Sequence, residues 1–131
     1  MSYAYLRDDV RRRLTLTFTG PLDVAEIVAS MDRQAADGLW AYAVLVDARD
    51  RLGAGTAAEI QRLADHQRRL TREHGARGPV AVVTNEPAQF GMGRMFGTFV
   101  EMDGAAFGAF REITAAERWL DQQQAGTPPP A

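Results

Sequence analysis

The feature that most constrains the fold is one patterned run, Gly78–Leu120, which reads GPVAVVTNEPAQFGMGRMFGTFVEMDGAAFGAFREITAAERWL. Val80–Thr84 contains a short apolar run that is typical of a strand covered on both faces. Pro87 follows at a favoured first-turn position of a helix. Ala106–Arg111 then predicts a strand and Thr114–Leu120 a helix. The run therefore indicates an α/β fold with very short connections.

The N-terminal part begins with two β-type runs. Tyr3–Leu6 and Arg13–Thr19 flank a short charged segment, and apolar residues alternate with threonines in the second run, which predicts a hairpin. Asp23 is placed to cap a helix that ends at Gly38. Trp40–Asp47 contains an uninterrupted apolar run, which predicts a central strand buried on both faces.

A second helix is predicted after a glycine-containing loop at Arg49–Gly55, with Thr56 as its N-cap. The complete order is β-β-α-β-α-β-α-β-α. Helical crossovers imply parallel neighbours, so we expect a mixed, mostly parallel sheet with the hairpin at one edge and helices on both faces. Residues 1–120 are predicted to form a single domain, and 121–131, with their triple proline, a flexible tail.

Composition excludes several function classes. The 131 residues include no cysteine and only two histidines, which argues against thiolate chemistry and metal sites. A formal charge of −2 argues against nucleic-acid binding, and the sequence shows neither a long apolar segment nor a signal peptide, so we expect no membrane insertion and a cytoplasmic location. All fifteen cationic side chains are arginines scattered among acids, which predicts a solvated surface.

Polar residues that follow the predicted parallel strands meet at the carboxyl edge of the sheet, where open α/β sheets bind ligands. The candidate cleft residues are Asp47, Asp50, Thr84 and Asn85. A small enzyme built on Asp47, Asp50 and Asn85 is the weakest alternative, because no nucleophile and base can be paired and no catalytic residue can be named.

The third predicted helix has three glycines in its interior, and each costs about 1 kcal/mol relative to alanine. One interpretation is tight packing of this helix on its own sheet. The other is a contact with a second subunit or an apolar ligand. The candidate interface residues are Phe90, Gly93, Arg94, Phe96 and Gly97.

These residues together resemble the SpoIIAA-like bacterial proteins, relatives of the STAS (anti-sigma-factor antagonist) domain. The resemblance covers about residues 3–120 and rests on LTLTFTG, YAVLVDARD and PVAVVTNEPAQFGMGRMFGTF, the last with an AFG-x-x-RMF-type signature. It implies a mixed sheet with helices and no cofactor. In STAS antagonists it also implies a serine phosphorylated by a partner kinase at the helix start after the third strand. Thr56 offers the hydroxyl near that place, in a segment without an Asp-Ser-Ser-Gly-type sequence.

Two functions therefore remain beside the enzyme alternative. The first is a non-catalytic STAS-like regulatory or interaction module, expected as a homodimer, that binds a protein partner or a small apolar ligand. The second is an anti-sigma-antagonist-type phospho-switch that uses Thr56 as phospho-acceptor.

Overall fold

The computed structural model describes residues 3–126 and shows five strands and four helices in the predicted order. The strands are β1 (Tyr3–Asp8), β2 (Arg13–Pro21), β3 (Ala43–Leu52), β4 (Val80–Val83) and β5 (Phe107–Phe110). The helices are α1 (Val24–Ala36), α2 (Ala57–His74), α3 (Pro87–Glu101) and α4 (Ile113–Ala125). The predicted α/β class and element order are confirmed.

The five strands form one sheet in the order β1-β2-β3-β4-β5. The β1–β2 hairpin is antiparallel, and every other neighbouring pair is parallel. Three right-handed crossovers that advance in one direction put α1, α2 and α3 on the same face of the sheet. Helix α4 packs on β3, β4 and β5 from the opposite face. The predicted helices on both faces are therefore present as a three-helix face and a one-helix face.

The two central strands are buried on both faces, as predicted. Val44 and Val80 belong to the core cluster of the three-helix face. Leu45 and Ala81 alternate with them and pack with Leu120 of α4. A continuous apolar sequence in β3 and β4 is thus explained by helices on either side.

Strand β3 differs from its predicted bounds at both ends. It begins at Ala43, because Trp40 is buried in the turn before it. It continues to Leu52, through part of the segment predicted as a loop, because the last residues of β2 pair with Asp50–Leu52 beyond a register shift. This extension carries Arg51 into the protein interior, where its side chain is 3% exposed.

The last helix also extends beyond its predicted end at Leu120. Asp121 and Gln124 accept hydrogen bonds from Arg13 at 2.7 and 2.6 Å, which ties this part of α4 to the start of β2. Residues 121–125 of the predicted tail are therefore helical. Residues 127–131 lie outside the described part of the chain.

Candidate functional site

An apolar cavity of about 170 Å³ lies between the sheet and the helices α1, α2 and α3 that cover one of its faces. Its lining includes Phe18, Val46 and Val82 from the sheet and Ile27, Leu63 and Phe96 from the helices. The exposed loop residues Gly53 and Ala54 also line it, which places its mouth at the carboxyl edge of the sheet. An apolar cavity of roughly 150 Å³ stays dry and accepts a benzene-sized molecule. The cavity therefore has the size and polarity of a small-ligand site.

Around the cavity, short side chains occupy the sheet surface beneath the helices. Helix α2 packs on both α1 and α3, while Val46, Ala48 and Val82 below the helices are only partly buried. Gly93 contributes no side chain to the α3 wall. Larger residues at these positions would close the space, as they do in an ordinarily packed interior.

At the mouth, a buried ion pair fixes the end of β3 against α1. Arg51 Nη1 lies 3.0 Å from Glu26 Oε1, and the two side chains are 3% and 10% exposed. Nη1 also donates to the carbonyl oxygen of Thr19 at 3.3 Å, and the guanidinium lies 4.8 Å from the Phe18 ring centre. Arg51 is thus a buried cation with a carboxylate counter-ion.

Gln89 ties the start of α3 to the same strand end. Its Nε2 donates to the carbonyl oxygens of Arg51 at 2.8 Å and Gly53 at 2.6 Å. Its Oε1 accepts a hydrogen bond from Thr84 Oγ1 at 2.5 Å. The mouth is therefore held by polar contacts on two sides, through α1 and through α3.

At the amino-terminal edge of the sheet, the cavity is lined by Arg77. Its Nη2 donates to Gln34 Oε1 at 2.9 Å, its Nη1 donates to Gln67 Oε1, and its guanidinium lies 4.5 Å from the Trp40 ring centre. The buried Nε has no hydrogen-bond partner, and within residues 3–126 no carboxylate forms an ion pair with this side chain. Burial without a counter-ion lowers the pKa of Arg77 to about 9.

Thr56 lies at the start of α2, next to the cavity mouth. Its Oγ1 accepts from the backbone N–H of Glu59 at 3.1 Å, and Glu59 Oε1 accepts from the backbone N–H of Thr56 at 2.9 Å. This reciprocal pair is a capping box, so the predicted N-cap is confirmed. Thr56 is exposed. It lies at a helix N-terminus, where the helix dipole stabilises added negative charge.

The predicted cleft residues share the carboxyl edge of the sheet but do not line one cavity. Thr84 is buried and lines the cavity on the three-helix face. Asp47 alternates with Val46 and faces the other side, where Arg49 contacts both its carboxylate oxygens at 3.0 and 2.9 Å and lowers its pKa. Asn85 donates to the backbone of Arg49 at 3.3 Å, and Asp50 is exposed. The neutralised Asp47 gives no acid–base pair with these neighbours.

The predicted interface on α3 is largely an intramolecular contact. A Cβ atom on Gly97 would lie 2.9 Å from Phe107 Cδ1, and one on Gly93 would lie 3.4 Å from Val82 Cγ1. Phe96 is buried edge-to-face against Phe107, with ring centres 5.0 Å apart. The tight-packing interpretation therefore accounts for these three residues. The other two candidates are at the surface, Phe90 partly exposed and Arg94 exposed.

Apart from Thr84, the sequence reasoning missed the polar groups around the cavity. The prediction that the arginines form a solvated surface is wrong at Arg13 and Arg51, which are 6% and 4% exposed, and at the partly buried Arg77. A signal was present in the glutamines that bind Arg77. Gln34 and Gln67 fall on the apolar stripes of α1 and α2, and a polar residue on such a stripe needs a partner inside the protein.

No helix in the described part of the chain is long and apolar enough to cross a membrane. Within residues 3–126, no cluster of three or more histidine or acidic side chains is arranged to hold a metal ion. The chemistry available at the cavity is therefore that of the apolar lining, two arginines and the amide and hydroxyl groups described above.

No family model matches the sequence, and no curated protein matches it significantly. A solved structure does match: the crystal structure of an anti-sigma factor antagonist from Mycobacterium paratuberculosis, with a TM-score of 0.55 and 18% sequence identity. The match covers 92% of this chain and 95% of that chain. At this identity the likeness establishes the fold, and it agrees with the resemblance noted in the sequence. The chain therefore shares its fold with this anti-sigma factor antagonist, as the STAS-like resemblance in the sequence predicts.

Proposed function

We propose that this chain is a non-catalytic STAS-type regulatory module that binds a small apolar ligand in the cavity beneath α1, α2 and α3. The observation that carries the proposal is the cavity itself, whose volume of about 170 Å³ and apolar lining fit a compact hydrocarbon group. The solved structure with the same fold is an anti-sigma factor antagonist, which supports a regulatory role through a protein partner.

A ligand bound in the cavity could affect the protein surface through the loop that precedes α2. The cavity mouth includes Gly53, Ala54 and Gly55, and the next residue, Thr56, caps α2. A ligand that contacts this loop and the inner side of α2 favours one arrangement of the exposed helix start. A protein partner that binds the start of α2 would then respond to occupancy of the cavity. The reason is that a ligand with different affinities for two arrangements of this segment shifts their populations.

The test fills the cavity from the sheet side. Val46→Phe adds an aromatic ring to the lining, and Val10→Phe makes the same change at a residue that is 95% exposed. We expect wild-type protein and Val10→Phe to bind n-octanol in isothermal titration calorimetry, and Val46→Phe to bind at least about tenfold more weakly. Equal affinity in all three proteins, or no binding by the wild type, would contradict the proposal. Circular dichroism checks that each variant is folded.

A second function is favoured by a specific observation, the exposed residue Thr56 at the N-terminus of α2. Phosphorylation there would add negative charge where the helix dipole and free N–H groups stabilise it. It would also replace the capping hydroxyl, which couples the modification to the order of the first turn. Intact-mass measurement of protein purified from its native cells tests this proposal, with Thr56→Ala as the control. A native protein with no added phosphate under any growth condition would contradict it.

For the ligand-binding regulatory module we also propose a cytoplasmic location, no cofactor and a homodimeric state. Self-association would have to use residues that the fold leaves at the surface, and from the predicted interface these are Phe90 and Arg94. Arg111 already lies 5.0 Å above the Phe90 ring centre. Sedimentation equilibrium over a range of concentrations tests the homodimer directly, and a monomer at the highest concentration would remove it from the proposal.

A further inference from the structure

The buried Arg13 and Arg51 and the partly buried Arg77 differ in how their charge is compensated. Arg13 lies 2.7 Å from the Asp121 carboxylate and Arg51 lies 3.0 Å from that of Glu26. Arg77 has only the neutral amide oxygens of Gln34 and Gln67. The Nε–H groups of Arg13 and Arg77 both lack an acceptor within the described residues, so the counter-ion is what separates the two side chains. Arg77 is therefore the cavity-lining cation that lacks an anion.

An uncompensated guanidinium is costly in this environment. Amide oxygens satisfy individual N–H groups, but they carry no charge to balance the cation, and a buried charge without a counter-ion is strongly unfavourable. The lowered pKa of Arg77 reflects the same cost. A structure that places such a group beside an apolar cavity is suited to an anion that carries its own apolar part.

We infer that Arg77 is the binding site for the head group of an acidic amphipathic ligand, a carboxylate on a short apolar chain that fills the cavity. This inference rests on the proposed ligand-binding function and names the class of ligand. Arg77 lines both the cavity and a smaller depression of about 30 Å³. The head group would lie at this junction, at the amino-terminal edge of the sheet, and the chain would extend between the sheet and α2.

Two features favour a carboxylate over a phosphate. A guanidinium offers parallel N–H groups that match the two oxygens of a carboxylate. The other charged pair at the small depression is Arg68 with Asp103, 2.9 Å apart, so Arg68 is already compensated. Asp103 repels a dianion about twice as strongly as a monoanion, because the repulsion scales with the charge of the head group. A single free cation suits a single negative charge.

The experiment compares two probes of equal chain length, octanoate and n-octanol, at pH 7 by isothermal titration calorimetry. We expect the wild type to bind octanoate about tenfold more tightly than octanol, because a hydrogen bond to a charged group adds this much affinity. Arg77→Met should lose the preference by weakening octanoate about tenfold while octanol is unchanged. Arg77→Lys should keep part of the preference. Arg62→Met, an exposed position on α2, should bind both probes like the wild type.

The outcomes separate this inference from the proposed function. Binding of octanol with no preference for octanoate, or a preference that survives in Arg77→Met, overturns the role of Arg77 and leaves the apolar cavity as a ligand site. Failure of both probes to bind the wild type overturns both proposals. The wild-type comparison of acid and alcohol requires no variant, so it decides the inference even if Arg77→Met does not fold.

Discussion

Each end of the cavity holds an arginine guanidinium, and the two differ in whether a carboxylate compensates the positive charge. At the mouth, Arg51 is paired with Glu26 and also bonded to the backbone of β2. At the amino-terminal edge, Arg77 is held by Gln34 and Gln67 and by the Trp40 ring, and no carboxylate of residues 3–126 pairs with it. A guanidinium with a built-in counter-ion is a structural tie between elements. One held in place by neutral groups keeps its charge available for a ligand.

Breaking the compensated end should give the largest effect. Glu26→Gln removes the counter-ion of Arg51, and we expect the free energy of unfolding to fall by about 3 kcal/mol, because it leaves an uncompensated buried charge. Urea denaturation at pH 7 measures the loss. Glu117→Gln, at an exposed position on α4, is the matched control and should change stability little. A loss no larger than the control's would show that Arg51 is solvated or paired elsewhere.

The two ends of α3 also differ in how closely the helix packs on its surroundings. At the end nearer Arg77, Gly97 lies against Phe107, so Gly97→Leu must displace the ring or the helix. We expect a loss of about 2 kcal/mol from overpacking. Gly91 has open space around its Cα, so Gly91→Ala should stabilise the protein by up to about 1 kcal/mol. Thermal denaturation followed by circular dichroism measures both changes.

Gly97→Leu also decides between the two interpretations of the glycine-rich helix α3. If Gly97→Leu kept its stability and converted a dimer to a monomer in sedimentation, the subunit-contact interpretation would be restored. A destabilised protein with an unchanged oligomeric state would confirm packing on the chain's own sheet.

The sequence predicted the fold well because its signals are local and periodic. Uninterrupted apolar runs in β3 and β4 require cover on both faces, and the helices between the strands require parallel neighbours. The end of β3 could not be predicted, because Asp50 and Leu52 are exposed and the buried residue between them is an arginine. Their strand conformation comes from pairing with β2 and from the ion pair with Glu26, which are contacts distant in sequence.

The candidate site was predicted in place but not in composition. Thr84 lines the cavity, and the loop before Thr56 forms part of its mouth. Asp47 follows the same edge, yet strand alternation turns its side chain to the other face, where Arg49 neutralises it. Arg77 lies in a short connection with no periodic pattern, so only its contacts with Gln34 and Gln67 reveal that it is held against the cavity.

At the mouth, the capping box of α2 gives a smaller effect than the buried ion pair. Thr56→Ala removes the acceptor for the Glu59 N–H, and we expect the free energy of unfolding to fall by about 1 kcal/mol. Thr56→Ser retains the hydroxyl and should stay close to the wild type. Urea denaturation checks both variants. An unchanged stability in Thr56→Ala would show that the exposed helix start is already frayed and that water replaces the cap.

At the opposite end, Arg77→Met should have the smallest net effect on the ligand-free protein. The variant relieves a buried charge but loses the bonds to Gln34 and Gln67 and the contact with Trp40. These terms oppose each other, so we expect a gain of only about 0.5 kcal/mol at pH 7, by urea denaturation. A loss of several kcal/mol would show that Arg77, like Arg51, is a structural tie.

The pH dependence of that difference tests the charge state of Arg77 directly. Its pKa in the folded protein is about 9, below its usual value in the unfolded chain. Above pH 9 the unfolded state therefore binds more protons, and wild-type stability rises with pH relative to Arg77→Met. The Arg68–Asp103 pair beside it is present in both proteins and cancels in the difference. Between pH 9 and 10, we expect the free energy of unfolding of the wild type to rise by up to about 1 kcal/mol relative to that of Arg77→Met. A difference that stays constant from pH 7 to 10 would mean that the folded protein keeps the guanidinium charged by solvating it, and the contrast with Arg51 would then disappear.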